Sequence, residues 1–412
     1  MGTTGTTDAG MPAAGAWSGA DGRAPLVVHV VDALDTALAR HGLLNLIAHL
    51  PPERYRHAIV CLHDRGDQAP GAVQAHTTAH TAAHGVDIVQ LGRAAGRDPR
   101  HYLRLFGVLR ALRPHLVHTR DGTGLPAQAI AALAGVRLRV HAESERVTAD
   151  GGAGLLHRLL CPLIDHFVAA STDLEQWLVE SVGAAPARVS QIASGVDSVQ
   201  YHPRLGPAAA VGPPGFMQDG AFVVGSVGRM DDAGNHMTLV DAFLRLIASP
   251  HPAHARLRLL LVGDGPARAE CQTLLHRAGA AARAWLPGAR ADVPQLLRAM
   301  DLYVQPALGD ERAHAVLEAM ASGLPVVASA VGGHADLVHP GFTGILVPPL
   351  GTALLASAIA DYCRIPEMAL RHGARARSQV IARHSMPAMA RDYLAIYDAL
   401  TRGAGDGLPQ AR

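Results

Sequence analysis

The sequence predicts two α/β domains, each built around a mostly parallel β-sheet. Short runs rich in Val, Ile and Leu alternate with amphipathic stretches along almost the whole chain, which is typical of βαβ units covered on both faces. The alternation stops once, in the Pro/Gly-rich segment 203–220, which we interpret as an interdomain linker. The length of 412 residues also favours two domains over one.

Each half of the chain contains six strand candidates. In the first half they are 26–31, 57–62, 86–91, 115–119, 138–142 and 166–170, with amphipathic stretches at 38–50, 100–113 and 125–134. In the second half they are 221–227, 257–262, 282–286, 301–305, 324–328 and 344–347. Ligands of such sheets bind at the carboxyl ends of the strands, so we expect the site in the cleft between the domains.

The same pattern gives the predicted domain boundaries. We expect a disordered tail (1–24), a first domain (25–202), the linker (203–220), a second domain (221–385), a helix that packs back across the domains (386–402) and a short tail (403–412). The first 24 residues have no basic start and no apolar core, so they do not resemble a signal peptide.

Composition excludes several classes of function. A net charge of +1 and an aromatic content of 4% argue against nucleic-acid binding. Four widely separated cysteines without a CxxC pair favour a reducing compartment. No apolar run reaches membrane-spanning length, so we expect a cytoplasmic protein with at most peripheral contact to the inner membrane. All 36 basic residues are Arg.

One histidine-rich stretch, 75–84, raises the question of a metal site. His76, His80 and His84 have helical spacing, and two histidines at i and i+4 can share a metal. The third would lie about 12 Å from the first, too far for one tetrahedral site. A solvated polar face is the better interpretation, and we predict no metal.

The stretch "GSVGRM" ends the first strand of the second domain. Gly228 and then Arg229 follow where the backbone leaves the sheet. The forked guanidinium of an arginine suits a phosphate. A surface ion pair with Asp231 or Asp232 explains Arg229 equally well, and the sequence leaves both readings open.

The next strand ends in "LVGDGP". Gly263 and Gly265 permit a close approach of the backbone to a ligand. A plain tight turn accounts for this pair of glycines just as well.

The stretch "LGDERAHAVLEAMASGLPVVASAVGG", residues 308–333, carries two carboxylates around a helix start. Free amides at that start attract a phosphate, while Glu318 and Asp310 are suited to accept hydrogen bonds from sugar hydroxyls. Dipole compensation alone would also place acids there.

Together these segments resemble the GT-B glycosyltransferases of retaining family 4, in particular those associated with exopolysaccharide and PEP-CTERM systems. The resemblance extends over nearly the whole chain after the tail and rests on "VGSVGRM", "LVGDGP", "LPGARADVPQLLRAMDLYVQP", "LEAMASGLPVVASAVGG" and "GFTGILVPP" in the second half. In the first half it rests on "RYRHAIVCL", "VHTR" and "DLEQWLVESVGAAPARVSQIASGVD". It implies two Rossmann-like domains, a nucleotide-sugar donor held mainly by the second, an acceptor on the first, and no metal or other cofactor.

The resemblance also implies roles for individual residues. Glu318 would hold the ribose, Asp310 the donor sugar, and Arg229 with a nearby lysine the diphosphate. The remaining candidates are Gly228, Gly263, Arg290, His314 and Leu317 on the donor side, and His118 and Ser144 on the acceptor side.

Several positions depart from the family pattern. Gly234 stands where the lysine is expected, Ala37-Leu38 where a Gly-Gly pair is expected, Ser144 where a histidine is expected, and Asp310-Glu311 where Glu-Gly is expected. Two hypotheses follow. One is an active transferase of saccharide or lipid-linked acceptors, in which Arg290, Arg312 or His314 replaces the missing charge. The other is a degenerate, non-catalytic binding or scaffold protein.

Overall fold

The structure is a computed structural model in which residues 24–32, 34, 37–62, 86–91, 100–144, 153–207, 211–218, 220–309 and 313–405 are described. Both predicted tails lie almost wholly outside these ranges. Asp310 and the histidine-rich stretch 75–84 lie outside them as well. The chain forms two compact units, one comprising residues 1–168, 178–190 and 396–412 and the other residues 169–177 and 191–395.

The first unit contains a seven-stranded sheet in the order β3-β2-β1-β4-β5-β6-β7, whose pairs β1–β2, β1–β4, β2–β3 and β4–β5 are parallel. Its strands are β1 (Leu26–Val31), β2 (Arg56–Cys61), β3 (Asp87–Gln90), β4 (Leu116–Arg120), β5 (Leu138–Glu143), β6 (His166–Ala169) and β7 (Val189–Gln191). Its helices are α1 (Ala37–Ala48), α2 (Arg100–Leu112), α3 (Asp121–Gly124), α4 (Pro126–Leu133) and α5 (Ala153–Leu160), and α6 (Thr172–Trp177) follows in the second unit.

The second unit contains a six-stranded parallel sheet in the order β10-β9-β8-β11-β12-β13. Its strands are β8 (Phe222–Val227), β9 (Leu257–Val262), β10 (Ala284–Gly288), β11 (Leu302–Gln305), β12 (Val326–Ser329) and β13 (Gly344–Val347). Its helices are α7 (His236–Ile247), α8 (Arg268–Arg277), α9 (Val293–Ala299), α10 (Ala313–Ala321), α11 (Gly333–Leu337), α12 (Thr352–Arg364) and α13 (Pro366–Arg383). The last helix, α14 (Met386–Gly405), contributes residues to both units.

Burial explains why the strands form a doubly covered sheet. All six residues of β1 and of β9 are buried, so both faces of these central strands pack against apolar side chains. In the second unit, one core cluster contains Leu239, Phe243 and Tyr362 on one face of the sheet, and a second contains Leu296, Met320 and Val380. The predicted class of two parallel-sheet α/β domains is therefore confirmed.

The structure contains one strand, β7, that the sequence did not predict. The bounds of its two units also differ from those of the predicted domains. β7 has three residues, too few to show a hydrophobic period. The described part of 203–220 lies inside the second unit, because the chain joins that unit earlier: the amide of Val196 donates to the carbonyl of His384 at 2.8 Å, within a short parallel bridge to Ser385. Among the described residues, no helix is long and apolar enough to cross a bilayer.

A row of buried histidines crosses the sheet of the first unit. His29 on β1 lies between His57 on β2 and His118 on β4, with 3.1 Å from His29 Nε2 to His57 Nδ1 and 5.2 Å between the rings of His29 and His118. The Nδ1 atom of His118 is 2.7 Å from the hydroxyl of Tyr397 on α14. Burial lowers the pKa of all three imidazoles, that of His57 to about 4.

We expect this row of histidines to lower the free energy of unfolding as the pH falls. His57→Gln should remove part of that pH dependence. Unfolded His57 binds a proton below its usual pKa of 6.5, whereas the folded state resists protonation until the pH approaches 4. Its contribution to stability is therefore present above pH 6.5 and is lost as the pH falls. Between pH 7 and pH 5 the free energy of unfolding of the unmodified protein should drop by about 2 kcal/mol more than that of the variant. Urea unfolding at both pH values measures this, and parallel pH profiles would contradict it.

Candidate functional site

The carboxyl edge of the second sheet is built from three loops whose backbones bond to one another. Gly228 follows β8 and its amide donates to the carbonyl of Val262 at 2.9 Å. Gly263 follows β9 and its amide donates to the carbonyl of Gly288, at the end of β10, also at 2.9 Å. The three strand ends are therefore locked together by their own main chains.

Two of the glycines are required by this packing. A Cβ atom on Gly263 would lie 1.8 Å from the carbonyl oxygen of Gly228, and one on Gly265 would lie 2.3 Å from that of Met230. Both glycines also have positive φ, +141° and +152°. The neighbouring loop occupies the space that a side chain would need, so the "GDG" pattern is explained by contact between loops. Gly228 and Gly263 lie at the predicted edge of the sheet. The contact between their loops already accounts for the glycines, without a direct contact to a ligand.

Arg229 lies on the surface of this edge. Its side chain is 74% exposed, and its Nε atom is 3.2 Å from a carboxylate oxygen of Asp231. The ion pair that the sequence offered as one reading of Arg229 is thus present. Because the guanidinium is largely in solvent, it remains accessible to an incoming phosphate.

The Arg229 loop is joined to the loop after β11. The amide of Leu308 donates to the carbonyl of Ala233 at 2.8 Å, and the side-chain amide of Asn235 donates to the carbonyl of Pro306 at 2.9 Å. Asn235 has a left-handed backbone, and its side-chain oxygen accepts from Thr238 in the first turn of α7. These bonds place the Arg229 loop beside the segment that leads into α10.

Glu318 on α10 is the most distinctive side chain of this edge. It is only 15% exposed, accepts a hydrogen bond from Tyr201, and lies 3.5 Å from Nε2 of His314 one turn earlier. Burial raises the pKa of Glu318, while His314 and the hydrogen bond from Tyr201 act in the opposite direction. The structure therefore brings together two predicted residues, Glu318 and His314.

Tyr201 is a site residue that sequence reasoning missed. Burial, and next the charge of Glu318, raise the pKa of Tyr201, so its hydroxyl stays protonated and donates. Its carbonyl accepts from Arg377 on α13 at 3.1 Å, which anchors the segment. Tyr201 lies in an irregular stretch between two strands, and no local pattern pointed to it.

Two other predicted donor-side residues, Leu317 and Arg290, make contacts within the protein. Leu317 is 1% exposed and packs in the core with Val316 and Met320, so its side chain points away from the surface. Helical periodicity turns position 317 inward and leaves Glu318 towards the edge. Arg290 forms a two-pronged ion pair with Asp292, with both nitrogen–oxygen distances at 2.8 Å.

Gly234, where the resemblance expects a lysine, has no space for a side chain in this loop conformation. A Cβ atom there would lie 2.5 Å from the carbonyl oxygen of Arg229 and 3.0 Å from the ring of His236. The amide of Gly234 donates to Asp231 at 2.8 Å. The loop is therefore folded around a residue without a side chain.

On the first unit, the two predicted acceptor-side residues differ in accessibility. His118, in the middle of β4, is fully buried and bonded to Tyr397, so its side chain lies in the interior of the first unit. Ser144 is exposed directly after β5, and its amide donates to Asp121 at 3.1 Å.

Family models match two parts of the chain. Residues 39–195 match the family described as "Glycosyl transferase 4-like domain", and residues 221–364 match "Glycosyl transferases group 1". The structure of HepE from Anabaena in complex with UDP superposes with a TM-score of 0.71 over 90% of this chain and 99% of that one, at 19% identity. The chain therefore has the GT-B fold, and its two matched regions are similar to glycosyltransferase domains.

Curated relatives share part of the sequence. The lipopolysaccharide core biosynthesis mannosyltransferase LpcC of Rhizobium leguminosarum bv. viciae is 28% identical over 269 residues, which cover 60% of this chain and 75% of LpcC. A GDP-mannose-dependent alpha-mannosyltransferase of Mycobacterium tuberculosis is 32% identical over 250 residues, covering 60% of this chain and 58% of the relative. The chain thus spans between half and three quarters of the length of these proteins.

We expect Gly263→Ala to destabilise the second unit by more than about 3 kcal/mol, because the new methyl group collides with the carbonyl of Gly228 and the backbone is strained. Gly279→Ala is the matched control: φ there is +67°, but nothing lies within 4 Å of the added atom, so the cost should be about 1 kcal/mol. Urea unfolding measures both variants. Equal losses of unfolding free energy in the two variants would contradict this prediction, since they would show that the loops after β8 and β9 move apart at little cost.

Proposed function

We propose that this protein is a retaining glycosyltransferase that moves a sugar from a nucleotide-diphosphate sugar to a saccharide or lipid-linked acceptor, in exopolysaccharide biosynthesis. The observation that carries the proposal is Glu318, a largely buried carboxylate at the carboxyl edge of the second sheet. Its surroundings suit the ribose of a bound nucleotide.

A buried carboxylate is costly unless donors satisfy it. Among the described residues, Tyr201 donates to Glu318, and a carboxylate has room for several donors. The two hydroxyls of a ribose are suitable additional donors, and hydrogen bonds to a charged acceptor are among the stronger ones. Tyr201 fixes the side chain in advance, so little ordering is left for the nucleotide to induce.

The diphosphate has two favourable features beside Glu318. Arg229 presents an exposed guanidinium on the adjoining loop, and the start of α10 directs the positive end of the helix dipole towards this edge. Transfer of a sugar depends on stabilising the departing diphosphate, which these groups supply electrostatically. We propose that this chemistry uses no metal ion at the donor site. Asp310 is the proposed partner of the donor sugar.

The donor and acceptor classes follow from the relatives. One relative depends on GDP-mannose and HepE binds UDP, so both bases are candidates for this chain. LpcC acts in lipopolysaccharide core biosynthesis, which supports a saccharide or lipid-linked acceptor. We place the reaction in the cytoplasm, with at most peripheral contact to the inner membrane. On the first unit, Ser144 is the exposed candidate for acceptor contact.

A second candidate function is supported by the loop around Gly234. The expected lysine is absent and its position is closed to a side chain. Arg229, the other cation that the resemblance implies at the diphosphate, is paired with Asp231. A chain that kept the fold and lost phosphate stabilisation would serve as a non-catalytic binding or scaffold protein.

Glu318→Gln should weaken nucleotide binding about 10- to 100-fold, because the neutral amide replaces a charged acceptor for the ribose hydroxyls. Calorimetric titration of the purified protein with UDP, GDP and their common sugar conjugates measures the affinity. Glu270→Gln, on the exposed face of α8, is the matched control and should bind like the unmodified protein. If the unmodified protein binds none of these nucleotides, the proposed donor site is wrong and the scaffold hypothesis is favoured.

Arg229→Gln should lower the rate of sugar transfer by about 10²–10³ while leaving nucleotide binding measurable, because the charge acts mainly on the departing diphosphate. Asp231→Asn removes the competing carboxylate and keeps an oxygen for the amide of Gly234, so transfer should be retained or faster. Release of UDP or GDP in the presence of acceptor oligosaccharides gives the rate. Nucleotide binding without any transfer in the unmodified protein would favour the non-catalytic alternative.

A further inference from the structure

Three metal-ligating side chains meet in the interior of the first unit. His141 and Glu143 lie two residues apart on β5 and share one face of that strand, and His157 projects from α5. The Nε2 atoms of His141 and His157 are 2.8 Å and 2.6 Å from the same carboxylate oxygen, Oε1 of Glu143. One ligand atom from each residue lies within 4.8 Å of the others.

The carboxylate of this cluster is incompletely satisfied. Glu143 is 2% exposed, and its second oxygen, Oε2, is buried without a hydrogen bond to any described residue. Within the described ranges its partners are the two imidazoles and no arginine. An ionised carboxylate without a cationic partner is expensive in the interior. A cation bound here would remove that cost and would use the free oxygen.

The surroundings of His141 fit a metal ligand. Its Nδ1 atom is 2.6 Å from the hydroxyl of Thr119 on β4, and Gln128 on α4 donates to that hydroxyl at 2.6 Å and to the carbonyl of Val140 at 2.7 Å. Metal-bound histidines use the second ring nitrogen in this way, and the outer partner fixes both tautomer and ring orientation. Thr119 and Gln128 hold the Nε2 atom of His141 toward Glu143.

We propose that His141, Glu143 and His157 bind one divalent transition-metal ion with the preferences of zinc. Two imidazole nitrogens and one carboxylate oxygen are a typical zinc donor set, with a fourth position for water or another group. The ion would tie the end of β5 to α5. The argument for this site does not use the transferase function proposed above.

Binding requires a small adjustment of the cluster. Tetrahedral ligands about 2.0–2.1 Å from zinc are roughly 3.3 Å apart, whereas the present nitrogen–oxygen distances are 2.6 and 2.8 Å. The side chains must therefore separate by about half an ångström to let the ion between them. Rotation of the Glu143 carboxyl group, which offers Oε2 in place of Oε1, provides this movement while β5 stays in the sheet.

The experiment uses the full-length, untagged protein. It is stripped with a strong chelator, returned to metal-free buffer and titrated with Zn²⁺ against a chromophoric zinc chelator. We expect one tightly bound zinc ion per chain, and a thermal unfolding midpoint about 5 °C higher with zinc than without it. His157→Gln should lose more than about 100-fold in zinc affinity and lose the thermal shift. Thr119→Val should lose about 10- to 100-fold, as expected for an outer partner.

The control variant is His80→Gln, in the histidine-rich stretch 75–84. It should bind zinc like the unmodified protein. Zinc lost in His80→Gln but kept in His157→Gln would assign the ion to that stretch and overturn the proposal. If the unmodified protein does not compete with the chelator for zinc, the proposal is also overturned. The three residues then form only a hydrogen-bonded His–Glu–His cluster. If His157→Gln does not fold, the titrations of the unmodified protein and of Thr119→Val decide.

Discussion

The contact between the loops after β8 and β9 is the constraint on which the candidate site depends. Gly263 faces the carbonyl of Gly228 at a distance that excludes any side chain, and the amide of Gly228 is bonded back to Val262. This contact sets where the chain leaves β8 and therefore where Arg229 emerges. The bonds from Ala233 and Asn235 to the loop after β11 then extend the same framework to the start of α10. A binding edge is thus assembled mainly from backbone, with few side chains projecting from it.

Glu318 shows how one charged side chain is positioned on that framework. The core residues Val316, Leu317 and Met320 hold α10 against the sheet, so the rotation of the helix, and with it the direction of Glu318, is determined by apolar packing. Tyr201 supplies a donor from a separate part of the chain, and Arg377 anchors Tyr201 in turn. The carboxylate is held with spare hydrogen-bonding capacity, which is the property that a nucleotide site requires.

Both units combine exposed charged pairs with buried imidazoles; in the second unit His236, His254, His334 and His372 are buried. In the second unit, charged groups lie at the edge of the sheet, and Arg229 and Arg290 are each paired with a nearby aspartate in solvent. In the first unit, imidazoles occupy the interior beside strands β1, β2, β4 and β5. Exposed pairs of this kind contribute little to stability, whereas buried imidazoles and carboxylates must be satisfied by specific partners. Changes in protonation therefore have a larger structural effect in the interiors of the units than at their exposed charged pairs.

The sequence by itself determined the fold class and nearly all of the strands. Within the described residues, twelve of the thirteen strands coincide with predicted apolar runs, because burial on both faces of a parallel sheet leaves a continuous apolar signature. Glu318, His314 and Arg229 could be placed at strand and helix ends for the same reason. Only the tertiary structure decided which side chains are accessible and which meet. His118 follows the same local pattern as an edge residue yet is buried, and Tyr201 reaches Glu318 across more than a hundred residues. Such contacts depend on packing between distant segments, which leaves no local periodic trace in the chain.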